Sequence, residues 1–359
     1  LENLVVMNLN NFYAGKKILV TGHTGFKGAW LSLVLNEFGA RVYGISLKPE
    51  DVRGNFYNIV RLNKKIKSYY IDLSEYKKLY KTINKIKPEI IFHLAAQPYV
   101  IRSYKDPIQT IHSNIVGVSN LLDICRKTKS VKLFLNITTD KCYENDDSKK
   151  SFVESDRLGG KDIYSASKAC SEILTNSFFE SFLKDKIKIG TSRAGNVIGG
   201  GDFGEDRLIP DIFESIMKNK NLTIRNPNSV RPWQYILDVL NGYLFQVFYL
   251  SKDKSHTLSS FNFAPVQKDI VNVKEIADYI SNYFNFKRVR FLKQNKGFAE
   301  SKNLLLNSKK ANKNLGWRNK YKTMGAIDET IKWNEAYYSN PKEIEKFSVN
   351  LIKDFFKLK

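Results

Sequence analysis

Short apolar runs alternate with amphipathic stretches along the first half of the chain. Apolar runs of about four to eight residues are typical of buried parallel strands, and apolar residues every three to four positions are typical of helices packed on a sheet. The predicted strands cover 18–20, 41–46, 66–72, 89–96, 132–137 and 186–191. The predicted helices between them cover 29–35, 79–86, 107–127 and a segment that begins near Tyr164. Repeated strand–helix–strand units predict an α/β fold with a doubly wound, Rossmann-like parallel sheet.

The pattern loosens after Gly195, where glycines and prolines mark several loops. Further helices are predicted over 209–218, 236–250, 273–284 and 324–338. This part is too interrupted to repeat the first sheet. We therefore predict a Rossmann-like cofactor domain over 13–195, with returns to the sheet near 235–265, and a smaller, interleaved substrate-binding lobe over 196–359.

The composition predicts a folded protein with no membrane segment. No apolar run reaches the ~18 residues that a membrane helix needs. The first residues lack a basic region ahead of an apolar stretch, so no signal peptide is predicted, and Met7 is a candidate natural start. The spacing of Cys125, Cys142 and Cys170 fits neither a disulfide framework nor a metal site. We therefore expect no metal and a reducing, cytoplasmic location.

The net charge of +22 raises the question of a nucleic-acid partner. The lysines are spread over the whole chain, and no basic segment carries a recognition motif. A diffuse, solvated basic surface explains this distribution better, so no nucleic-acid partner is predicted. Such a surface still attracts an anionic nucleotide ligand.

Three glycines lie between the first predicted strand and helix, in Thr21-Gly22-His23-Thr24-Gly25-Phe26-Lys27-Gly28. Glycine lets backbone approach a ligand closely, and N–H groups at a helix start favour a diphosphate. The GxxGxxG spacing differs from the usual GxGxxG fingerprint, and alone it fits a turn without ligand equally well. The flanking strand and helix favour a dinucleotide site.

Two further groups of residues suggest catalysis. Tyr164 and Lys168 share a helix face, so we expect the ammonium to lower the pKa of the phenol from its usual value near ~10. Thr139, Asp140 and Lys141 follow the fifth predicted strand, at the edge where open α/β sheets bind ligands. Taken separately, Tyr164 and Lys168 are explained as a surface pair, and Thr139 to Lys141 as a turn capped by Asp140. Their occurrence together, downstream of the glycine loop, favours an active site.

These motifs resemble the extended short-chain dehydrogenase/reductase superfamily and, within it, the CDP-glucose 4,6-dehydratase family. The resemblance runs from about Phe12 to Trp333 and is carried by TGHTGFKG, FHLAAQP, NITTDKCYEN, YSASK, SRAGNVIGGGDFGEDRLIPDI, RNPNSVRPWQ and NLGW. The most specific pieces are His23 and Lys27 in the glycine loop and the Asp-Lys pair at 140–141, where dehydratases of dTDP-glucose or GDP-mannose usually carry Asp-Glu.

The resemblance implies a lyase that uses NAD to convert CDP-glucose to CDP-4-keto-6-deoxyglucose, for deoxysugars of surface lipopolysaccharide. In that family C4 is oxidised, water leaves across C5–C6, and the hydride returns to C6. Tyr164 would take the proton of the C4 hydroxyl, to which Thr139 hydrogen-bonds. Lys168 would tune the phenol, and Asp140 would protonate the departing C6 hydroxyl. Lys141 would remove the C5 proton, our working hypothesis, or only stabilise the enolate while another group is the base.

The resemblance also implies ligand contacts. Cofactor contacts are implied for Gly22, His23, Thr24, Gly25, Phe26, Lys27, Gly28, Asp72, Leu73, Leu94, Ala95, Ala96, Gln97, Asn114, Tyr164 and Lys168. Contacts with the nucleotide sugar are implied for Ser103, Asn196, Arg207, Leu208, Ile209, Arg231 and Trp233. The second strand ends in Ser46-Leu47-Lys48 instead of a carboxylate, and Lys48 suits a 2′-phosphate, so NADP stays open beside NAD. Such enzymes are usually dimers, and the apolar helices after Pro107 and Tyr164 permit a homodimer.

Two alternatives follow from the same residues. Another nucleotide-sugar 4,6-dehydratase or a 4-epimerase of this superfamily would also need Tyr164 and Lys168. An epimerase has no use for an elimination pair, so Asp140 and Lys141 argue against it. A non-catalytic, cofactor-sensing regulator would need none of these side chains.

Overall fold

A seven-stranded parallel sheet organises the fold in the computed structural model, which describes residues 9–50, 53–146, 151–265, 271–292 and 304–358. The predicted start region, residues 1–7, lies outside the described residues. In spatial order the sheet runs β3-β2-β1-β4-β5-β6-β7. The strands are β1 (Lys17–Thr21), β2 (Arg41–Ser46), β3 (Lys67–Tyr70), β4 (Ile90–His93), β5 (Leu133–Ile137), β6 (Lys188–Ala194) and β7 (Ser259–Phe263). All six predicted strands are confirmed, and β7 lies within the predicted return near 235–265.

The central strands are apolar on both faces because helices cover both sides of the sheet. Ile18 and Val20 of β1 face one hydrophobic cluster, whereas Leu19 faces the other. Register pairs Ile18 with Val42 on one side and with Ile90 on the other. The order of the strands therefore reverses at β1 and β4, where open α/β sheets form a ligand crevice.

The long helices agree with the apolar periodicity. They are α1 (Phe26–Glu37), α2 (Tyr76–Ile86), α3 (Gly117–Lys127), α4 (Ile163–Phe178), α5 (Leu208–Met217), α6 (Ile236–Lys252), α7 (Val273–Tyr283), α8 (Thr323–Ser339) and α9 (Ile344–Phe356). The predicted helix over 107–127 consists of Pro107–Ile111, a π-helical turn at His112–Val116, and α3. Shorter helices cover Phe56–Ile59, Val100–Lys105 and Lys309–Leu315. Among the described helices, none combines the length and apolar character needed to cross a bilayer.

Beyond β6 the chain builds small strand pairs around α5 and α7. Gln234–Tyr235 pairs with Val197–Ile198, and Val289–Phe291 pairs with Leu222–Ile224. Val230–Arg231 pairs with Val271–Asn272. The chain returns to the sheet through α6 and β7 between these pairs. The division at residue 195 stays a prediction.

Candidate active site

The glycine loop lets three backbone segments meet at the end of β1. Gly22 has a φ of +75°, and a Cβ there would lie 2.6 Å from the Ala95 nitrogen. A Cβ on Gly28 would lie 2.1 Å from the Gly22 carbonyl oxygen. No side chain caps the start of α1 at Gly25. The loop therefore presents backbone at a helix N-terminus, which suits a diphosphate.

A cavity of about 360 Å³ opens above this loop, at the crevice between β1 and β4. It is lined by most of the residues predicted to bind the cofactor: Gly22, Thr24, Gly25, Phe26, Lys27, Gly28, Asp72, Leu73, Leu94, Ala95, Ala96 and Gln97. NAD fits this site because the loop from Gly22 to Gly28 is closely packed, α1 begins there, and the cavity lies at the crevice between β1 and β4.

Sequence reasoning missed several residues of the same cavity. They include Glu50, Arg53, Asn55, Tyr99, Arg102, His112, Ser113, Asp202 and Phe203. Most follow β2 or belong to loops and short helices whose position depends on the tertiary fold. Of these, only Asp202 lies in a segment with a recognisable pattern, because Gly199-Gly200-Gly201-Asp202 predicts a loop, although not where that loop lies in the fold.

His23 lies behind the glycine loop instead of in the cavity. Its side chain is fully buried, 5.3 Å from the ring of Tyr57 and stacked on Tyr70 at 6.4 Å between centroids. Burial lowers the pKa of His23 to about 4, so the imidazole is neutral. The His23 side chain does not line the cavity and packs under the loop, so a contact of this residue with the cofactor stays a prediction.

Asn114 supports the cavity wall without lining it. Its Oδ1 accepts a hydrogen bond of 2.8 Å from the backbone N–H of Gln97, and its Nδ2 donates to the Gln97 carbonyl at 3.1 Å. The same Nδ2 donates to Ser167 on α4 at 2.9 Å. Asn114 therefore ties the segment after β4 to the helix that carries Tyr164 and Lys168.

The end of β2 forms the far side of the cavity. Thr24 Oγ1 lies 2.7 Å from Ser46 Oγ and donates to the Leu47 carbonyl at 3.2 Å. Lys48 is exposed at the cavity rim. This is the region where a dinucleotide's adenosine ribose binds in Rossmann folds, so cofactor choice depends on Ser46 and its neighbours.

Tyr164 and Lys168 lie on one face of α4, which begins after the Asp162 cap. Both side chains are buried, and Lys168 Nζ donates to the Ile137 carbonyl at 3.4 Å. Burial raises the pKa of Tyr164 to about 12, against a smaller effect of the Thr139 hydroxyl. Burial also lowers the pKa of Lys168 to about 8. The expected lowering of the Tyr164 pKa is wrong for the protein alone, because desolvation outweighs the hydrogen bond with Thr139 and the positive charge of Arg207, both of which lower the pKa.

The turn Asp140–Cys142 follows β5 and faces α4. Thr139 Oγ1 donates to Asp140 Oδ1 at 2.8 Å. Asp140 is buried, and that burial raises the pKa of its carboxyl, although Lys141 and Thr139 act in the opposite direction. Lys141 is half-buried beside it. The turn therefore offers a carboxyl group inclined to hold a proton, next to an amine.

Lys27 connects the cofactor cavity with this turn. The pKa of Lys27 is lowered to about 7, mainly by burial and also by the positive charges of Lys168 and Arg207, while Asp140 and Asp202 oppose them. The glycine-loop lysine is therefore close enough to the catalytic residues to respond to their charges.

Of the residues predicted to bind substrate, Arg207 lies at the cavity and Arg231 near Asp140, and the other five are buried or half-buried. Arg207 lines the cavity, where it pairs with Asp202 Oδ2 at 3.0 Å and lies over the Tyr99 ring at 5.3 Å. Arg231 is near enough to Asp140 to favour its charged form. The side chains of Ser103, Ile209 and Trp233 are buried, while those of Asn196 and Leu208 are half-buried. Ser103 donates its hydroxyl to the Val100 carbonyl at 2.7 Å, so a helix turn already uses it.

Comparisons with known proteins agree with this geometry. The model of the GDP-mannose 4,6 dehydratase family matches residues 19–330. A CDP-glucose 4,6-dehydratase of Salmonella typhimurium is 39% identical over 333 residues, which cover 91% of this chain and 92% of that protein. A dTDP-D-glucose 4,6-dehydratase of Dictyostelium discoideum is 31% identical over 241 residues, 64% of this chain and 54% of that protein.

Solved structures share the fold. A UDP-glucose 4-epimerase of Thermotoga maritima with UDP-glucose has a TM-score of 0.76 at 22% identity, covering 89% of this chain and 99% of that one. A dTDP-glucose 4,6-dehydratase of Bacillus anthracis in complex with NAD has a TM-score of 0.74 at 18% identity, covering 90% of this chain and 96% of that one.

Proposed function

The chain belongs to the GDP-mannose 4,6 dehydratase family, and on that premise we propose that it is an NAD-dependent hydro-lyase that converts CDP-glucose to CDP-4-keto-6-deoxyglucose. The observation that carries the proposal is the buried carboxyl of Asp140, with its raised pKa, facing the helix of Tyr164 and Lys168. Hydride chemistry at C4 needs the helix pair. Loss of water needs a proton donor beside it, which the turn supplies.

The first step is oxidation at C4. Tyr164 takes the proton of the C4 hydroxyl, and the Thr139 hydroxyl orients the same oxygen. When bound, NAD supplies the hydride acceptor and donor and a positive charge that favours the phenolate of Tyr164. Lys168 adds a second positive charge on the same helix face and holds its position through the Ile137 carbonyl.

The second step is loss of water. The C4 ketone acidifies the C5 proton, which Lys141 removes, and the electron pair forms the C5–C6 double bond as the C6–O bond breaks. Asp140 donates a proton to the departing hydroxyl, so the leaving group is water. The hydride taken from C4 would then return to C6 and the proton held by Lys141 to C5, which gives the 4-keto-6-deoxy product and restores the oxidised cofactor. A carboxyl whose pKa is raised by burial suits a general acid.

Two arginines support binding of the substrate's diphosphate. Arg207 lies at the cavity, and Arg231 lies near Asp140. A guanidinium fork matches phosphate oxygens better than a lysine does. The choice of CDP-glucose rests on the Salmonella relative, and another nucleotide-glucose is the alternative substrate.

The proposal also covers the oligomeric state of the protein, its location and the use of its product. We infer a homodimer formed by the helices after Pro107 and Tyr164, because Ile108, Ile173 and Phe182 expose large apolar side chains there. The free thiols of the described cysteines support a cytoplasmic enzyme. A deoxysugar product would serve surface lipopolysaccharide.

The test is a product assay with purified protein and NAD. Incubation with CDP-glucose is expected to yield a 4-keto-6-deoxy sugar, detected by the ultraviolet absorbance that alkali induces in such ketones. UDP-glucose, dTDP-glucose and GDP-mannose serve as matched substrates. Ketone from another nucleotide would correct the base. Formation of UDP-galactose without ketone would replace the dehydratase with the epimerase, and no product from any of them would overturn both.

A further inference from the structure

A buried ion pair lies directly beneath the catalytic residues. Glu172 on α4 and Arg193 on β6 are exposed by only 2% and 4% of their side chains. Arg193 Nη2 donates to Glu172 Oε2 at 2.9 Å, and Nε donates to Oε1 at 3.0 Å. This two-pronged geometry is one that arginine forms and lysine cannot.

The pair holds both ends of the catalytic turn. Thr138, immediately before Thr139, donates its hydroxyl to Glu172 Oε1. Tyr143, immediately after the turn Asp140–Cys142, accepts a 2.7 Å hydrogen bond from Arg193 Nη1. The turn that carries the proton donor is therefore fixed at its entrance by one member of the pair and at its exit by the other.

The same pair belongs to the helix that carries the phenol and the ammonium. Tyr164, Lys168 and Glu172 are spaced by four residues, so they follow one face of α4. Arg193 also donates to the Glu154 carbonyl at 3.0 Å. The hydroxyl of Tyr143 donates to Asn262 on β7 at 2.7 Å, so the network reaches the edge of the sheet.

Stability alone does not explain this arrangement. Removing two charges from water is costly, and well-packed apolar residues of similar volume often stabilise a protein as well or better. An ion pair that also makes several hydrogen bonds holds all the bonded groups in one arrangement, because each hydrogen bond fixes the position of its partner. Here that geometry relates the turn to the helix.

We propose that the Glu172–Arg193 pair is a positioning unit that holds the acid–base turn in register with Tyr164 and Lys168. The inference rests on the proposed function. Oxidation at C4 uses Tyr164 and Lys168 on the helix face and, from the turn segment, only the Thr139 hydroxyl, whereas loss of water uses both Asp140 and Lys141 of the turn. Loosening the turn therefore slows elimination more than oxidation.

The test cuts the two links to the turn and leaves the ion pair intact. The double variant Thr138→Val/Tyr143→Phe is compared with Thr191→Val/Tyr243→Phe, a control that makes the same two substitutions at other buried positions. Thr191 bonds Ser260 across the sheet, and the Tyr243 hydroxyl has no partner among the described residues, so the control leaves the turn untouched. Rapid mixing of holoenzyme with CDP-glucose follows the reduced nicotinamide as it forms and disappears.

In the test variant we expect reduced nicotinamide to form within roughly twofold of the control rate and to disappear roughly tenfold more slowly. A second variant, Glu172→Gln/Arg193→Met, removes both charges and should slow the disappearance of reduced nicotinamide more than its formation, although formation also slows because the Glu172 charge supports the ammonium of Lys168. Equal slowing of both steps, or no slowing, overturns the positioning role while wild-type turnover stands. Thermal unfolding of each variant separates misfolding from misalignment. A wild-type protein that forms no 4-keto product overturns the proposed function instead.

Discussion

The Thr139 hydroxyl donates a 2.8 Å hydrogen bond to Oδ1 of Asp140, while Oδ2 of the same carboxyl has no hydrogen-bond partner among the described residues. Thr139 thus orients the group and leaves its second oxygen uncommitted. In a buried site this favours a carboxylic acid over a carboxylate. The relationship makes Asp140 the proton donor most easily tested.

Asp140→Asn keeps the shape of the side chain and removes the acid. We expect formation of 4-keto product to fall by roughly 10²–10⁴-fold, because a positioned general acid contributes about that much. Reduced nicotinamide should still form and then persist. Asp123→Asn, a change at a surface carboxylate on α3, is the control. An Asp140→Asn enzyme with near-normal turnover would exclude the acid role.

The packing of the glycine loop predicts that alanine at Gly28 and alanine at Gly25 have different effects on NAD affinity. A Cβ on Gly28 would meet the Gly22 carbonyl oxygen at 2.1 Å, whereas a Cβ on Gly25 would lie 3.5 Å from the same atom, an ordinary contact. Gly28→Ala should therefore abolish NAD binding, and Gly25→Ala should keep most of it. Calorimetric titration with NAD measures both affinities. Equal affinities would mean that the close packing of Gly28 on Gly22 does not decide cofactor binding.

Lys27 predicts a pH dependence of cofactor affinity. Its pKa is lowered to about 7 in the protein alone, and a bound diphosphate favours the ammonium and raises that pKa. Binding thus takes up a proton above pH ~7, so NAD affinity should fall as pH rises from about 7 to 9, by at most roughly tenfold per pH unit.

The control for this prediction separates Lys27 from other titrating groups. Lys168, whose pKa is lowered to about 8, titrates in the same range. Lys27→Met should flatten the lower part of the pH profile and leave the contribution of Lys168. Lys48→Met, at the cavity rim, should leave the slope unchanged. If Lys27→Met leaves the pH profile of NAD affinity unchanged, the pH dependence comes from a group other than Lys27.

The proposed dimer predicts the effect of charges on α4 and just beyond it. Ile173 and Phe182 expose 51% and 48% of their surface, respectively, and an interface would cover them. Ile173→Glu/Phe182→Glu should shift the protein to monomer in sedimentation experiments. Met217→Glu, at an equally exposed position of α5, should not. A wild-type protein that sediments as a monomer would refute the dimer directly.

Local features were predictable where short-range physics decides them. The six strands and the turn from Gly22 to Gly28 follow from apolar runs and glycine chemistry, which act over a few residues. The shared face of Tyr164 and Lys168 follows from helix geometry alone. The cavity residues predicted from family motifs largely coincide with those that line it.

Other features depend on contacts between distant parts of the chain. No local pattern indicates that His23 is enclosed by Tyr57 and Tyr70, or that Arg193 meets Glu172. The pKa of Tyr164 was predicted in the wrong direction for the same reason. Spacing shows which charge is near, but burial depends on everything packed around the group.

The sequence by itself therefore determined the parallel α/β architecture and the glycine loop, and it supplied the candidates for the reacting side chains, because periodicity, turn residues and motif spacing are properties of short segments. Only the tertiary structure decided which of those side chains are desolvated, which face the cavity and which are held by others. Those properties arise from atoms brought together by folding, across separations such as the 21 positions from Glu172 to Arg193.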